Sequence, residues 1–328
     1  MTLFLILSIR YLDKNLILII HLFKIILMKQ QLIRRNFLKK GLIATAGMLF
    51  MKNHVKGNTD AFDTVSGSTN TSGPVNETIN TIKNLHTTHG NFSDKEIPDE
   101  EIELIRESCL RAANSSNMQT YSIVVVKDRA LIKSTCGYQG SCMMLFCVDY
   151  NRLIASAESL GLTYYPDNIT NFITASINTS IAAQTATIAA QSLGIDALLT
   201  NGIHRGNIDR HWQNLNLPEK YCIPLIALVL GYADREPDHK VGRLTGKGVF
   251  HETKYQKPSK DELSEIIAKY DNPSLHLGLN ENWKADGHQH YLEWLFKEWL
   301  KRDAQPTASE TPLFIQLKKR GFVELQGK

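Results

Sequence analysis

The chain predicts a sandwich of helices and β-sheet, of α/β or α+β class, on three observations. Tyr121–Val126, 143–148 and 223–230 are short apolar runs rich in β-branched residues that end in charged residues or glycine, as buried strands do. Residues 169–193 repeat Ile173, Ile177, Ile181 and Ile188 among Ala, Ser and Thr, with Gly194 as the stop, which predicts a long helix open to close approach. Pro98 followed by Asp99, Glu100 and Glu101 suits a first helical turn, and Ile102, Ile105, Cys109 and Ala112 then share one face, predicting a helix over 98–112. Strands mixed with long helices require layers that cover each other's apolar faces.

With 328 residues, 43% of them apolar, the chain is long enough for a substantial core. Its net charge of +4 is unevenly placed: residues 1–56 carry ten Lys/Arg against Asp13 alone, so the remainder is acidic. An acidic body without a basic, aromatic stripe excludes nucleic acid as a partner. Five cysteines form no CxxC pair and no His cluster stands beside them at zinc-ligand spacing, so no metal site is expected. Cys136 and Cys142 flank a short Gly-containing segment and are read either as a pair in an oxidising compartment or as buried thiols.

The amino-terminal quarter of the chain divides by composition. Residues 1–27 are apolar but broken by Arg10, Asp13, Lys14 and Lys24, too interrupted for a spanning helix. Met28 is an alternative start, and residues 28–57 follow the plan of an export signal: a basic head, adjacent arginines and an apolar stretch from Gly41 to Met51. The string Arg34-Arg35-Asn36-Phe37-Leu38-Lys39 resembles the twin-arginine consensus, with Ile33 where a small polar residue is usual. That resemblance implies recognition by the twin-arginine export machinery and a location outside the cytoplasm, with the signal either removed or kept as an anchor. Residues 58–76, rich in Ser, Thr, Asn and Gly, read as a tether.

Between the first predicted helix and strand lies Arg111-Ala-Ala-Asn-Ser-Ser-Asn-Met-Gln-Thr-Tyr121. Asn114, Ser115, Asn117 and Gln119 crowd donors and acceptors into one loop. Such a loop either caps a helix as a polar turn or meets the N–H and C=O rim of a flat heterocycle.

The string resembles the signature of the nitroreductase family, Ala-Pro-Ser-Ser-x-Asn-x-Gln-Pro-Trp followed by a valine-rich strand. Ser115, Asn117 and Gln119 match in register; Ala113 and Thr120 replace the prolines, Asn114 a serine and Tyr121 the tryptophan. NFSDKEIPDEEIELI, the alanine-rich TSIAAQTATIAAQSLGIDALL and the closing block LNLPEKYCIPLIALVLGYADREPDHKVGRL extend the resemblance over about residues 77–250, leaving 251–328 as a helical extension. It implies an α+β fold with a central, mostly antiparallel sheet flanked by helices, a homodimer with sites between subunits, and FMN as cofactor.

A flavin phosphate requires cations and donors. The family's closing basic pair maps onto Lys240 and Arg243; its early motif maps onto His86 and Thr88, with Gly90 at a position that is often basic. His86 is otherwise a surface residue of a polar helix. Asn201 and Gly202 match the loop whose backbone approaches flavin N5. His204 and Arg205 lie near enough to meet an anionic substrate or the phosphate, or Arg205 bridges to Asp209.

The resemblance further implies ping-pong transfer of hydride from NAD(P)H or another donor, through the flavin, to a nitroaromatic, quinone or similar flat acceptor, with no catalytic residue from the protein itself. The competing expectation is an exported flavin-binding or electron-relay module without turnover. Residues 290–300 predict an amphipathic helix with Leu292, Leu295, Phe296 and Trp299 on one side, set against the core or the partner, while Trp283, Trp294 and Trp299 are alternative covers for a pocket.

Overall fold

The computed structural model describes residues 76–235, 237–300 and 311–323. The apolar leader, the twin-arginine segment with Arg34 and Arg35, and all of the tether except Asn76 lie outside the described residues. No helix among those described is long and apolar enough to cross a membrane.

Asn76 opens α1 (Glu77–Lys83) by accepting the Ile79 N–H on its side chain at 3.0 Å. Helix α2 (Asp99–Cys109) starts after Pro98 with three acids in its first turn and buries Ile102, Ile105 and Cys109. It stops three residues before the predicted end, where the polar loop takes over. Strand β1 (Tyr121–Val126), α3 (Arg129–Cys136) and β2 (Cys142–Asp149) follow, then α4 (Asn151–Ser159) and the long α5 (Ile169–Ser192). After Gly194 come β3 (Asp196–Thr200), the short α6 (Arg210–Asn214) and β4 (Cys222–Gly231).

The strands form one antiparallel sheet in the order β1-β2-β4-β3. Strand β2 is central, and every residue from Cys142 to Val148 is buried, because both of its faces are covered. The two-residue period divides the core. Met143, Leu145 and Cys147 pack with Ile132, Trp212, Leu317 and Phe322 on one face. Cys142, Met144 and Phe146 pack with Ile102, Ile105 and the alanines of α5 on the other. Full burial of each such side chain contributes about 1.5–3 kcal/mol.

The α5 sequence explains its placement. Ala175, Ala182, Ala183, Ala186 and Ala190 face inward and are fully buried, so small side chains let the helix lie close to sheet and α2. Of the predicted isoleucines, Ile173, Ile177 and Ile181 point outward and Ile188 is half-buried; with Ile169 the outward three make a row that is 38–55% exposed in the single chain.

Cys136 and Cys142 belong to opposite faces of the sheet and remain thiols, like the other three cysteines. Burial pushes the Cys142 thiol up to about 11.

Beyond residue 250 the chain forms α7 (Lys260–Asp271), α8 (Tyr291–Trp294) continued by a π turn over Leu295–Trp299, and α9 (Pro312–Lys319). The predicted amphipathic helix over 290–300 therefore divides. Tyr291 is buried while Phe296 and Trp299 are more than half exposed, so the apolar side is not covered within one chain. Trp283, by contrast, is buried. The segment after α9 completes the core: Phe322 is inaccessible, its ring 5.4 Å from Phe172 and edge-on to Tyr221 at 5.8 Å.

Candidate flavin-phosphate cleft

Residues 86–93 run beside the open edge of the sheet. Thr88 donates its backbone N–H to Ala197 O of β3 at 3.0 Å, Phe92 bridges Ala233, and Ser93 donates to Tyr232 O at 2.7 Å. This pairing sets the early segment opposite the chain leaving β4. Between them lies a cleft of about 710 Å³ whose lining includes His86, Thr88, His89, Lys240 and Arg243, so the early motif and the closing basic pair meet. That volume suits a small-molecule cofactor.

Thr88 Oγ1 is buried in this cleft without a hydrogen-bond partner, and His86 Nε2 is buried beside a carboxylate. The His86 ring lies against Asn84 O through Nδ1 at 3.1 Å, and its Nε2 stands 3.5 Å from Asp196 Oδ1. Leaving a buried polar group unsatisfied costs about 1–3 kcal/mol, so Thr88 Oγ1 is set for a bound group that accepts hydrogen bonds. Lys240 and Arg243 supply charge from the facing loop; Lys240 Nζ donates to Asn84 Oδ1 at 3.1 Å, and Arg243 braces its own loop through Val241 O and Gly242 O. A phosphate fits this set of donors and cations. Gly90, where a basic residue is usual, sits at φ +75°, and an added Cβ would meet the Tyr138 ring at 3.4 Å. The backbone there favours glycine over any cationic side chain.

The polar loop after α2 is held from an unexpected quarter. Asn178, 2% exposed in the middle of α5, accepts the Ser115 N–H at 2.9 Å and donates to Thr120 Oγ1 at 2.9 Å. Asn114 Oδ1 accepts the Gln119 N–H at 2.9 Å, and Arg152 donates to Gln119 O. Ser116, Asn117 and Gln119 all have φ near +50°, left-handed positions, interrupted by Met118, that this clamp sustains. Asn114 thus serves the turn with its oxygen, while Ser115 and Asn117 are exposed. Gln119 lines a second cleft of about 410 Å³ with Arg106, Tyr121 and Arg152. Within one chain, then, the loop and the phosphate cleft are separate. Sequence reasoning missed Asn178, although an asparagine amid small apolar residues of a helix was the available signal.

The segment after β3 also differs in part from expectation. Gly202 donates its N–H to Thr200 Oγ1 at 2.9 Å and lies beside Tyr138, the ring that also borders Gly90. Asn201 is exposed. His204 is a strut between this turn and β4, its Nε2 3.0 Å from Pro224 O, and burial holds its imidazole below the usual range. Its expected place at a substrate is taken by that backbone bond. Arg205 is exposed, and the bridge to Asp209 is not formed; Asp209 pairs with Lys319 and Arg320 instead.

An antiparallel α+β sandwich with a cationic cleft and an orphaned hydroxyl is an arrangement suited to a phosphate-bearing cofactor. No family model matches the chain. It is 31% identical over 210 residues to the FMN reductase [NAD(P)H] of Bacillus subtilis (strain 168), covering 60% of this chain and 81% of that protein. It is 33% identical over 196 residues to the oxygen-insensitive NADPH nitroreductase of Salmonella typhimurium, covering 57% and 76%. Among solved structures, the NfrA1 nitroreductase from B. subtilis superposes with a TM-score of 0.63 at 26% identity, covering 75% of this chain and 98% of that one. The chain belongs to the nitroreductase family.

Proposed function

We propose that this protein is an exported homodimeric oxidoreductase that takes electrons from NAD(P)H and reduces flat acceptors such as nitroaromatics or quinones in a ping-pong cycle. Its cofactor is FMN and its class is that of the NAD(P)H-dependent oxidoreductases. When bound, FMN supplies the hydride chemistry at N5. The observation that carries the reading is the cleft that sets the buried, unpartnered Thr88 Oγ1 and the His86 ring opposite Lys240 and Arg243.

The chain's own residues bind and orient. Lys240, Arg243 and His86 neutralise the phosphate and Thr88 donates to it. Gly202 and Asn201 bring backbone near the ring, and Arg205 is the cation left to meet an acceptor. Ser115, Asn117, Gln119 and the remaining amide of Asn114 meet the ring's rim from the second subunit, which is why one chain separates them from the cleft. The outward stripe Ile169, Ile173, Ile177 and Ile181 supports that dimer, since a row of half-exposed isoleucines along one helix face is an association surface.

Purified protein should show oxidised-flavin absorbance that bleaches with NAD(P)H and returns faster with a nitroaromatic or quinone. Flavin that binds and reduces but is never reoxidised faster by these acceptors leaves the electron-relay reading. Export rests on Arg34-Arg35. Replacing both with Lys should hold the protein inside the cell, and an unchanged distribution rejects export.

A further inference from the structure

The loop bearing Lys240 and Arg243 is fastened on its outer side. Gly242 donates its N–H to His276 O at 2.9 Å, and a Cβ at Gly242 would collide with the Leu275 carbonyl, so two remote stretches of chain meet backbone to backbone. His276 itself adopts the left-handed conformation, φ 45° and ψ 43°, at the end of the 3₁₀ turn Pro273–Leu275.

This junction gathers three ligand-type side chains. His239 Nε2 lies 3.5 Å from Glu281 Oε1, and His276 Nδ1 lies 3.2 Å from the same oxygen. The two imidazoles stack with centroids 3.8 Å apart and planes 14° apart. All three atoms fall within 4.8 Å of one another, and no other three His, Cys, Asp or Glu among the described residues do so.

We propose that His239, His276 and Glu281 form a binding site for a divalent transition-metal cation of the zinc type, with solvent completing the coordination. A tetrahedral ion with bonds of about 2.0–2.1 Å holds its donors roughly 3.3 Å apart, and the two measured separations bracket that value. Two imidazoles with one carboxylate favour zinc, nickel or copper over calcium and magnesium, which take oxygen ligands. An ion cannot lie in both of two nearly parallel ring planes, so binding tilts the rings toward a shared ion. Side-chain exposures of 41% for His239 and 33% for His276 leave room for that tilt. The neighbouring Lys240 ammonium is drawn away by Asn84 Oδ1.

The proposal needs no cofactor, and although His239 also lines the cleft, its test is separable from the flavin reading because it reads metal binding alone. Untagged full-length protein, stripped with chelator, would be titrated calorimetrically with zinc chloride, and with cobalt chloride for its ligand-field absorption. One saturable site per chain is expected. Affinity should fall roughly tenfold or more in Glu281→Gln and in the double variant His239→Ala/His276→Ala. His290→Ala, which removes a different His–carboxylate pair (His290–Asp271, 2.6 Å), should leave it unchanged. Glu281 is 60% exposed, so its variant tests the site without endangering the fold. No saturable binding, or wild-type affinity in the double variant, overturns the proposal.

Discussion

The Arg320 guanidinium lies 3.9 Å over the Trp212 ring, and its side chain is 2% exposed. It also bonds Gln316 Oε1 at 3.1 Å, Asp209 and Glu219, so the carboxy-terminal segment is latched onto the stretch between β3 and β4 by stacking and charge together. Replacing Arg320 with Ala empties a packed position but lets the two partly exposed carboxylates regain water. The expected loss is on the order of 3 kcal/mol, read as a lowered denaturation midpoint with an unchanged denaturant slope.

The same latch has an acid limb. The hydrogen bond from Lys319, opposed by desolvation and aided by Gln316 and Arg320, holds the Asp209 carboxyl below its usual value. A depressed carboxylate adds stability above its unfolded pKa, and that stability is lost as pH falls through the folded pKa. Thermal melting of Asp209→Asn should therefore depend less on pH in the acid range than melting of the wild type. Parallel curves for the two proteins refute this.

Thr88→Val keeps the shape of a buried side chain and removes an unpartnered hydroxyl. Apoprotein stability should hold or rise slightly, while FMN affinity falls about tenfold, the value of one hydrogen bond to a charged group. Fluorescence titration of apoprotein with FMN reads the second effect. A variant that melts earlier yet binds FMN normally contradicts the assignment.

Arg243→Ala should lower flavin retention more than it lowers stability, because the side chain is exposed and braces only its own loop. Equal flavin content in wild type and variant after gel filtration would argue against a phosphate role.

Charging the outward face of α5 with Ile173→Asp and Ile177→Asp should yield a monomer in sedimentation equilibrium and lower flavin content as well, if the ring's rim is met by the second subunit. A monomeric variant that keeps its flavin would place the whole site in one chain.

Much of the fold was legible because its signals are local. Tyr121–Val126 appears with its predicted bounds, and β2 and β4 extend theirs by one residue at each end, since unbroken apolar runs leave little choice. Strand β3 was missed: Asp196–Thr200 is five residues long and follows the long helix with only Gly194 and Ile195 beyond the helix cap. The pairing of His86 and Thr88 with Lys240 and Arg243 came from the resemblance, and the cleft places them together. The clamp made by Asn178 and the strut role of His204 were not legible because their partners, Ser115, Thr120 and Pro224, are remote in sequence.

The amino-acid order alone decided β1, β2 and β4, the long helix and the residue types suited to a phosphate, since period, capping and charge act over a few neighbours. Tertiary structure decided which face of α5 turns outward, which polar atoms lose their water without finding a partner, and that His239, His276 and Glu281 share one corner. Those outcomes depend on contacts between distant segments, whose energies no local pattern encodes.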